Sequence, residues 1–341
     1  IVEAHWSASC WYSWLHDRVW LGEYLGCEDF SVWVPRPEQI SYPISSLDWF
    51  ETLLWWPLDV LPSRCIIQAV LEPLKCRVIS KGHAVEYLIA KSLQKALHAS
   101  LCKLPCFALI GRELEDSDIE RLRSMVEQDL GDRAGLCWQN IDYSAATDGL
   151  SSNLGLAIMR SVTRLLPAAD RYLAEKVLGP HHLYYPLTGG DMDWRGPLAS
   201  RFAGACVGIQ TNGQLMGSPL SFPILCLANL LVYIIVSGLD AGHAVQRVLV
   251  NGDDMLYIGT ELDWELHKLV SSSVGLEMSP GKAYTHHTYV NINSTSFHCP
   301  IDSEEPVRRI GFLNVGLLFG KHKVMRDDKD LCAPEFEPIH R

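Results

Sequence analysis

"RVLVNGDDMLYIG", residues 247–259, sets two acids between two apolar runs. Val248–Leu249–Val250 and Met255–Leu256–Tyr257–Ile258 have the composition of strands, and Asn-Gly-Asp-Asp between them predicts a tight turn. The stretch therefore reads as a β-hairpin. Most such turns only reverse the chain. Asp253 and Asp254 beside a glycine admit a second reading, as metal ligands. A Gly-Asp-Asp triplet also arises by chance, so the rest of the chain has to decide.

The decision rests first on "LCWQNIDYSAATDGL", 136–150. Leu136–Ile141 reads as a buried strand ending at Asp142, and Asp148 follows in a turn of small residues. If that strand lies beside the hairpin, Asp142, Asp253 and Asp254 converge at one sheet edge. Clustered carboxylates repel one another unless cations neutralise them. Hard oxygen donors suit Mg²⁺ or Mn²⁺, and two such ions can clamp an in-line phosphoryl displacement.

Other segments add to this. "GQLMGSPLSFP", 213–223, is a Gly/Ser/Pro loop feeding a helix; glycines allow close backbone approach, and a helix start offers N–H groups to anions. "EPLKCRVISKG", 72–82, carries Lys75, Arg77 and Lys81 on an extended segment, a place to meet phosphates or simply a solvated basic face. "LEMSPGKAY", 276–284, puts Lys282 in a turn after a helix.

The chain has 341 residues, a net charge of −11 and eleven cysteines without a paired pattern. Two or three lobes around one extended core are expected. The acidic balance excludes a generic basic coat for nucleic acid, so any such contact must be local. The cysteine usage fits reduced thiols. Chain ends at Ile1 and in "DLCAPEFEPIHR" suggest a piece of a longer protein. The apolar stretch 219–239 approaches membrane length, but Pro223, Asn229 and the lack of basic flanks favour a buried core helix over 219–236. Helices are also expected over His83–Leu101, from Ser117 with a Ser117-x-x-Glu120 capping box, from Ser151 to about Leu166, and over Leu262–Val274 with Gly275 as its cap. Residues 179–197 read as a connector, and the last strands are expected near 289–298 and 310–319. Trp6, Trp11, Trp14, Trp20, Trp33, Trp49, Trp55 and Trp56 crowd the first sixty residues, which read as aromatic packing without a readable function. A zinc site at His98, Cys102 and Cys106, or at the pairs His181–His182 and His286–His287, is the weaker reading, since structural zinc prefers tighter cysteine spacing.

Taken in order, "LKCRVISKG", "DYSAATDGL", "GQLMGSPLSFPILCLAN", "VNGDDMLYIG" and "GLEMSPGKAY" resemble motifs F, A, B, C and D of viral RNA-dependent RNA polymerases. The wording is closest to the ourmia-like (botourmiavirus) group, relatives of the narnaviruses. "NINSTSF", 291–297, and "GFLNVGLLFG", 311–320, fit the region after motif D, and the resemblance spans roughly 65–320. It implies an α+β right-hand fold: an antiparallel palm sheet backed by helices, helical fingers, and a thumb largely missing. Residues 1–130 would be an N-terminal fingers region including motif F. Residues 131–325 would be the palm, with a fingers insertion at about 150–210, and 326–341 would begin a truncated thumb or tail. Asp142, Asp253 and Asp254 would bind two Mg²⁺ or Mn²⁺ ions. Lys282 would donate a proton to pyrophosphate. Lys75, Arg77 and Lys81 would meet the triphosphate, and Gly213 and Gly217 would give the motif B loop its mobility. Asp148, with Ser218 and Asn229, would read the ribose. The implied partners are RNA template, nascent RNA and ribonucleoside triphosphates, in replication of a positive-strand RNA virus in the host cytoplasm or, alternatively, the mitochondrion. No targeting signal and no membrane span are read in the chain. The alternatives are a reverse transcriptase, which usually has an aromatic residue before the paired acids, and a catalytically incomplete RNA-binding fragment.

Overall fold

The computed structural model describes residues 63–311, apart from 73–74, 130–134 and 187–203. The Trp-rich first sixty residues, Leu130, 312–320 and the tail 326–341 lie outside the described residues, as do the side chains of Lys75 and Val126.

The hairpin forms as β6 (Val248–Asn251) and β7 (Asp254–Gly259). Together with β3 (Cys137–Ile141) and β8 (Tyr284–His286) it builds a sheet of order β6-β7-β3-β8 in which every pairing is antiparallel. Successive residues of a strand point to opposite faces. Val248, Val250, Met255 and Tyr257 accordingly enter one core, while Leu249, Leu256 and Trp138 enter another. Double-sided burial is why the two runs are apolar without alternation.

The first core lies under α6 (Ser221–Ser237), the expected core helix, which starts two residues later than its apolar run. None of the described helices is long and apolar enough to cross a membrane. Around α6 pack α1 (Ala84–Leu101), α4 (Ser152–Val162), the short α7 (Ala241–Ala244) and α8 (Glu261–Ser273), while α5 (Ala168–Leu178) packs on α1 and α4. Helix α4 stops at Val162, short of Leu166, where the Thr163 hydroxyl turns back to the Met159 carbonyl at 2.7 Å. Helix α8 opens with a Thr260–Asp263 capping box. It closes with paired bonds from Gly275 N–H to Ser272 and from Leu276 N–H to Ser271, both 2.9 Å, which satisfy two of its last carbonyls.

The second core is closed by α2 (Asp116–Asp129) and by a three-stranded antiparallel sheet of β9 (Tyr289–Ile292), β10 (Thr295–His298) and β11 (Arg308–Ile310). Two expectations shift here. Helix α2 opens at Asp116, and the Asp118 carboxylate, not a Ser117–Glu120 box, accepts the Glu115 N–H at 3.0 Å. The single strand expected over 289–298 is a hairpin, turned at Asn293 and Ser294.

A third sheet, β2-β1-β4-β5, combines β1 (Arg64–Glu72), β2 (Lys75–Gly82), β4 (His182–Tyr184) and β5 (Cys206–Ile209). Strand β4 pairs parallel with β1, so the stretch expected as a mere connector contributes a strand. The fold is mixed α/β, with antiparallel sheets predominating.

Candidate active site

The hairpin has a two-residue loop, Gly252–Asp253, because Asn251 pairs with Asp254. Gly252 takes φ +68°, a backbone region L residues avoid, and Asp253 does not. Helix α6 grips this loop along one stripe. The Gly252 N–H donates to Cys226 Sγ at 3.3 Å, Asn229 Nδ2 donates to the Gly252 carbonyl at 3.1 Å, and a Cβ on Gly252 would stand 3.2 Å from the Phe222 ring. Residues 222, 226 and 229 recur at helical spacing, so a single helix face sets the height of the acids.

Asp142 follows β3, the neighbour of β7, so it leaves the sheet at the same end as the hairpin turn. Its carbonyl accepts the Ser279 N–H at 2.8 Å, and Lys282 hangs from the same turn, its N–H donating to the Ser279 carbonyl at 3.2 Å. Lys282 Nζ then stands 3.5 Å from Asp142 Oδ1. Asp254 is half-buried, and its Oδ2 accepts the Asn293 N–H of the β9–β10 turn at 3.2 Å. Asp253 reaches solvent at the tip.

The acids act on one another. Desolvation, then Asp253, then Asp142 push the Asp254 carboxyl up to about 6. Asp253 is raised by desolvation and by Asp142, and Lys282 and Arg77 oppose that. Arg77 of β2 therefore lies in the field of the hairpin acids, although the two are far apart in sequence.

The loop 211–218 joins these parts. Gln214 N–H donates to Thr147 at 2.6 Å, at the short helix α3 (Ala146–Gly149) that carries exposed Asp148. Met216 carbonyl accepts both the N–H and the hydroxyl of Ser80 on β2, at 2.7 and 2.8 Å. A Cβ on Gly217 would stand 2.2 Å from the Ser80 carbonyl, so the glycine is required by close approach. Gly213, expected to loosen this loop, is buried against the Asp148 and Thr147 carbonyls. Ser218 is buried, its hydroxyl 3.3 Å from the Val177 carbonyl. Asn229 is fully buried, and both ends of its amide are used within the protein. It holds the acidic turn from within the core.

Arg77 and Lys81 lie on β2, Lys81 exposed. Among the described residues, no three His, Cys, Asp or Glu side chains are drawn together tightly enough to hold a metal ion. Asp142, Asp253 and Asp254 do fit such an ion chemically: they are hard oxygen donors whose mutual repulsion a cation would relieve. The candidate zinc residues are engaged elsewhere. The His98 ring lies 5.6 Å from Phe222, Cys102 Sγ donates to Ile110, and buried Cys106 has its thiol pushed up to about 12 by desolvation.

Three residues beneath the acids carry no sequence signal of their own: Tyr143, Tyr257 and His267, all buried. His267 sits three residues after Trp264 on α8, where periodicity marks it only as core.

No family model matches this chain. It is 33% identical over 261 residues, 75% of its length, to the RNA-dependent RNA polymerase of Ourmia melon virus (isolate Melon/Iran/VE9). The chain spans about a third of that curated relative, the match covering 30% of it.

Proposed function

We propose that this chain, a relative of the ourmia-like viral RNA-dependent RNA polymerases, forms the palm and part of the fingers of an RNA-directed RNA polymerase. One observation carries the reading. Five segments distant in sequence, 75–82, 142–148, 213–218, 252–254 and 279–282, meet through hydrogen bonds, an ion pair or electrostatic fields at one end of the central hairpin.

In the proposed reaction a 3′-oxygen of RNA attacks the α-phosphate of a ribonucleoside triphosphate. A new P–O bond forms, the α–β bridging bond breaks, and pyrophosphate leaves. Asp142 and Asp253, supported by Asp254, would hold Mg²⁺ or Mn²⁺, two ions in all. When bound, such ions neutralise phosphate charge and favour the ionised 3′-oxygen. Arg77, with Lys75 and Lys81, supplies positive charge for the triphosphate. Lys282 shields Asp142 before substrate arrives and is the candidate proton donor to pyrophosphate. Asp148, exposed on α3, is the polar group offered to a ribose 2′-OH, the feature that separates RNA from DNA precursors. Ser218 and Gly217 shape the loop beside it, and Asn229 serves by fixing the turn.

In this reading the N-terminal part through residue 130 belongs to the fingers, 131–325 to the palm with a fingers insertion at about 150–210, and 326–341 to the start of a truncated thumb or a tail. The setting is replication of a positive-strand RNA virus in the host cytoplasm. The test is Asp253→Asn. Nucleotide incorporation on an RNA template is lost while RNA binding persists; retained incorporation refutes the site.

A further inference from the structure

Beneath the acidic turn runs a buried chain of hydrogen bonds that none of the roles above uses. Tyr257 OH lies 3.1 Å from His267 Nδ1, His267 Nε2 lies 2.7 Å from Tyr143 OH, and Tyr143 OH lies 2.9 Å from Asn229 Oδ1. Asn229 Nδ2 ends the chain on the carbonyls of Gly252 and Asp253, at 3.1 and 3.5 Å. All four side chains are 3% exposed or less.

The direction of every bond follows from the far end. Two carbonyls can only accept, so the Asn229 amide nitrogen must face them and its oxygen must face Tyr143. Tyr143 therefore donates to Asn229 and has only a lone pair left for His267. His267 must then carry its proton on Nε2, which leaves Nδ1 bare to accept from Tyr257. All the protons point toward the turn, and bonds aligned in this way polarise one another. A doubly protonated imidazole would break the pattern at Tyr257. Burial holds His267 neutral, its imidazolium suppressed to about 4.

We infer that His267, though it lies on helix α8 and outside both candidate metal-binding segments, is a positioning residue for the Gly252–Asp253 turn, acting through Tyr143 and Asn229. Its ring braces two elements directly and a third through Tyr143: Tyr143 follows Asp142, Tyr257 lies on β7 beyond Asp254, and Asn229 grips the loop. The ring therefore sets the spacing between Asp142 and the paired acids from behind. For catalysis this rests on the polymerase reading; for geometry it does not.

The test uses the full chain in four forms: wild type, His267→Phe, His267→Gln and Val290→Ala. Val290→Ala is a destabilised control in the second core. Gln is the conservative variant, since its amide can donate toward Tyr143 and accept from Tyr257. Hydrogen exchange is followed at 251–255, and incorporation is measured as kcat and KM. His267→Phe raises exchange at the turn by about tenfold or more and lowers kcat by a similar factor, with KM for the triphosphate within about twofold. Gln recovers most of both. Val290→Ala loses thermal stability without changing exchange at the turn or kcat. If Phe at 267 prevents folding, Tyr143→Phe, which deletes one oxygen, makes the same test. Turn exchange in His267→Phe equal to wild type, or Gln no better than Phe, overturns the inference. An inactive wild type whose turn still loosens in His267→Phe overturns the polymerase reading and leaves the positioning role standing.

Discussion

Replacing Asp254 by asparagine is expected to stabilise the protein at neutral pH while impairing the proposed reaction. Burial and the neighbouring Asp253 and Asp142 push the Asp254 carboxyl from 3.8 to about 6. A carboxyl raised by folding holds its proton more tightly in the folded chain than in the unfolded one. Ionising it therefore costs stability, and that cost grows as pH rises from about 4 to about 6, then stays constant. At about 1.4 kcal/mol per pH unit, the penalty at pH 7.5 reaches about 3 kcal/mol. Part of it is repulsion shared with Asp253, so about 1–3 kcal/mol is recoverable. Asparagine keeps an acceptor for the Asn293 N–H that now bonds Oδ2. Urea denaturation of wild type and Asp254→Asn at pH 7.5 and pH 4.0 measures the difference directly. The variant should be more stable at pH 7.5, and the gap should nearly close at pH 4.0, where the wild-type carboxyl is largely protonated in the folded chain. A variant equal to or weaker than wild type at pH 7.5, or a gap unchanged at pH 4.0, refutes the reasoning.

Gly217→Ala drives a methyl into the Ser80 carbonyl, a Cβ–O distance of 2.2 Å, at φ +124°. It should cost about 1–3 kcal/mol and raise KM for the triphosphate more than it lowers kcat, as seen in thermal melts and steady-state incorporation. Lys176→Met breaks the ion pair of Lys176 Nζ with Glu86 Oε1 at 3.1 Å, in which both side chains are less than a tenth exposed. The stranded carboxylate should cost about 3–5 kcal/mol in urea denaturation, and adding Glu86→Leu should recover much of that loss.

The sequence shows the hairpin because two local signals agree: strand-forming runs and a glycine turn. Helix α6 is legible for a similar reason, a long apolar run bounded by turn residues, and the strand before Asp142 is legible despite its buried Gln139 and Asn140. The site needed more, namely the order of five separated motifs. What stayed hidden depends on contacts made only in three dimensions. His267 looks like any helix residue until Tyr143 and Tyr257 are brought to its two ring nitrogens. Asn229 is legible as polar but not as a clamp on the turn, because its partners, the Tyr143 hydroxyl and the carbonyls of Gly252 and Asp253, reach it only on folding. Strand β4 is three residues long and gains its identity from pairing with β1 across more than a hundred residues. The loop glycines at 213 and 217 suggest freedom in sequence and prove to be fitted against other backbone.

The double-sided burial of β7 has a consequence for how the hairpin finds its partner. Sliding β7 by one residue would swap Met255 and Tyr257 with Leu256 and Ile258, exchanging apolar for apolar on both faces. Greasy patterning, which usually forbids such slippage, is almost blind here. The correct alignment is fixed instead by marks that cannot be exchanged: the glycine that turns at 252, the Tyr257 hydroxyl that needs an imidazole, and Asn251 opposite Asp254. The aliphatic positions of these strands are thus free to drift among Val, Leu, Ile and Met, while a handful of polar atoms keeps the acids in phase with Asp142.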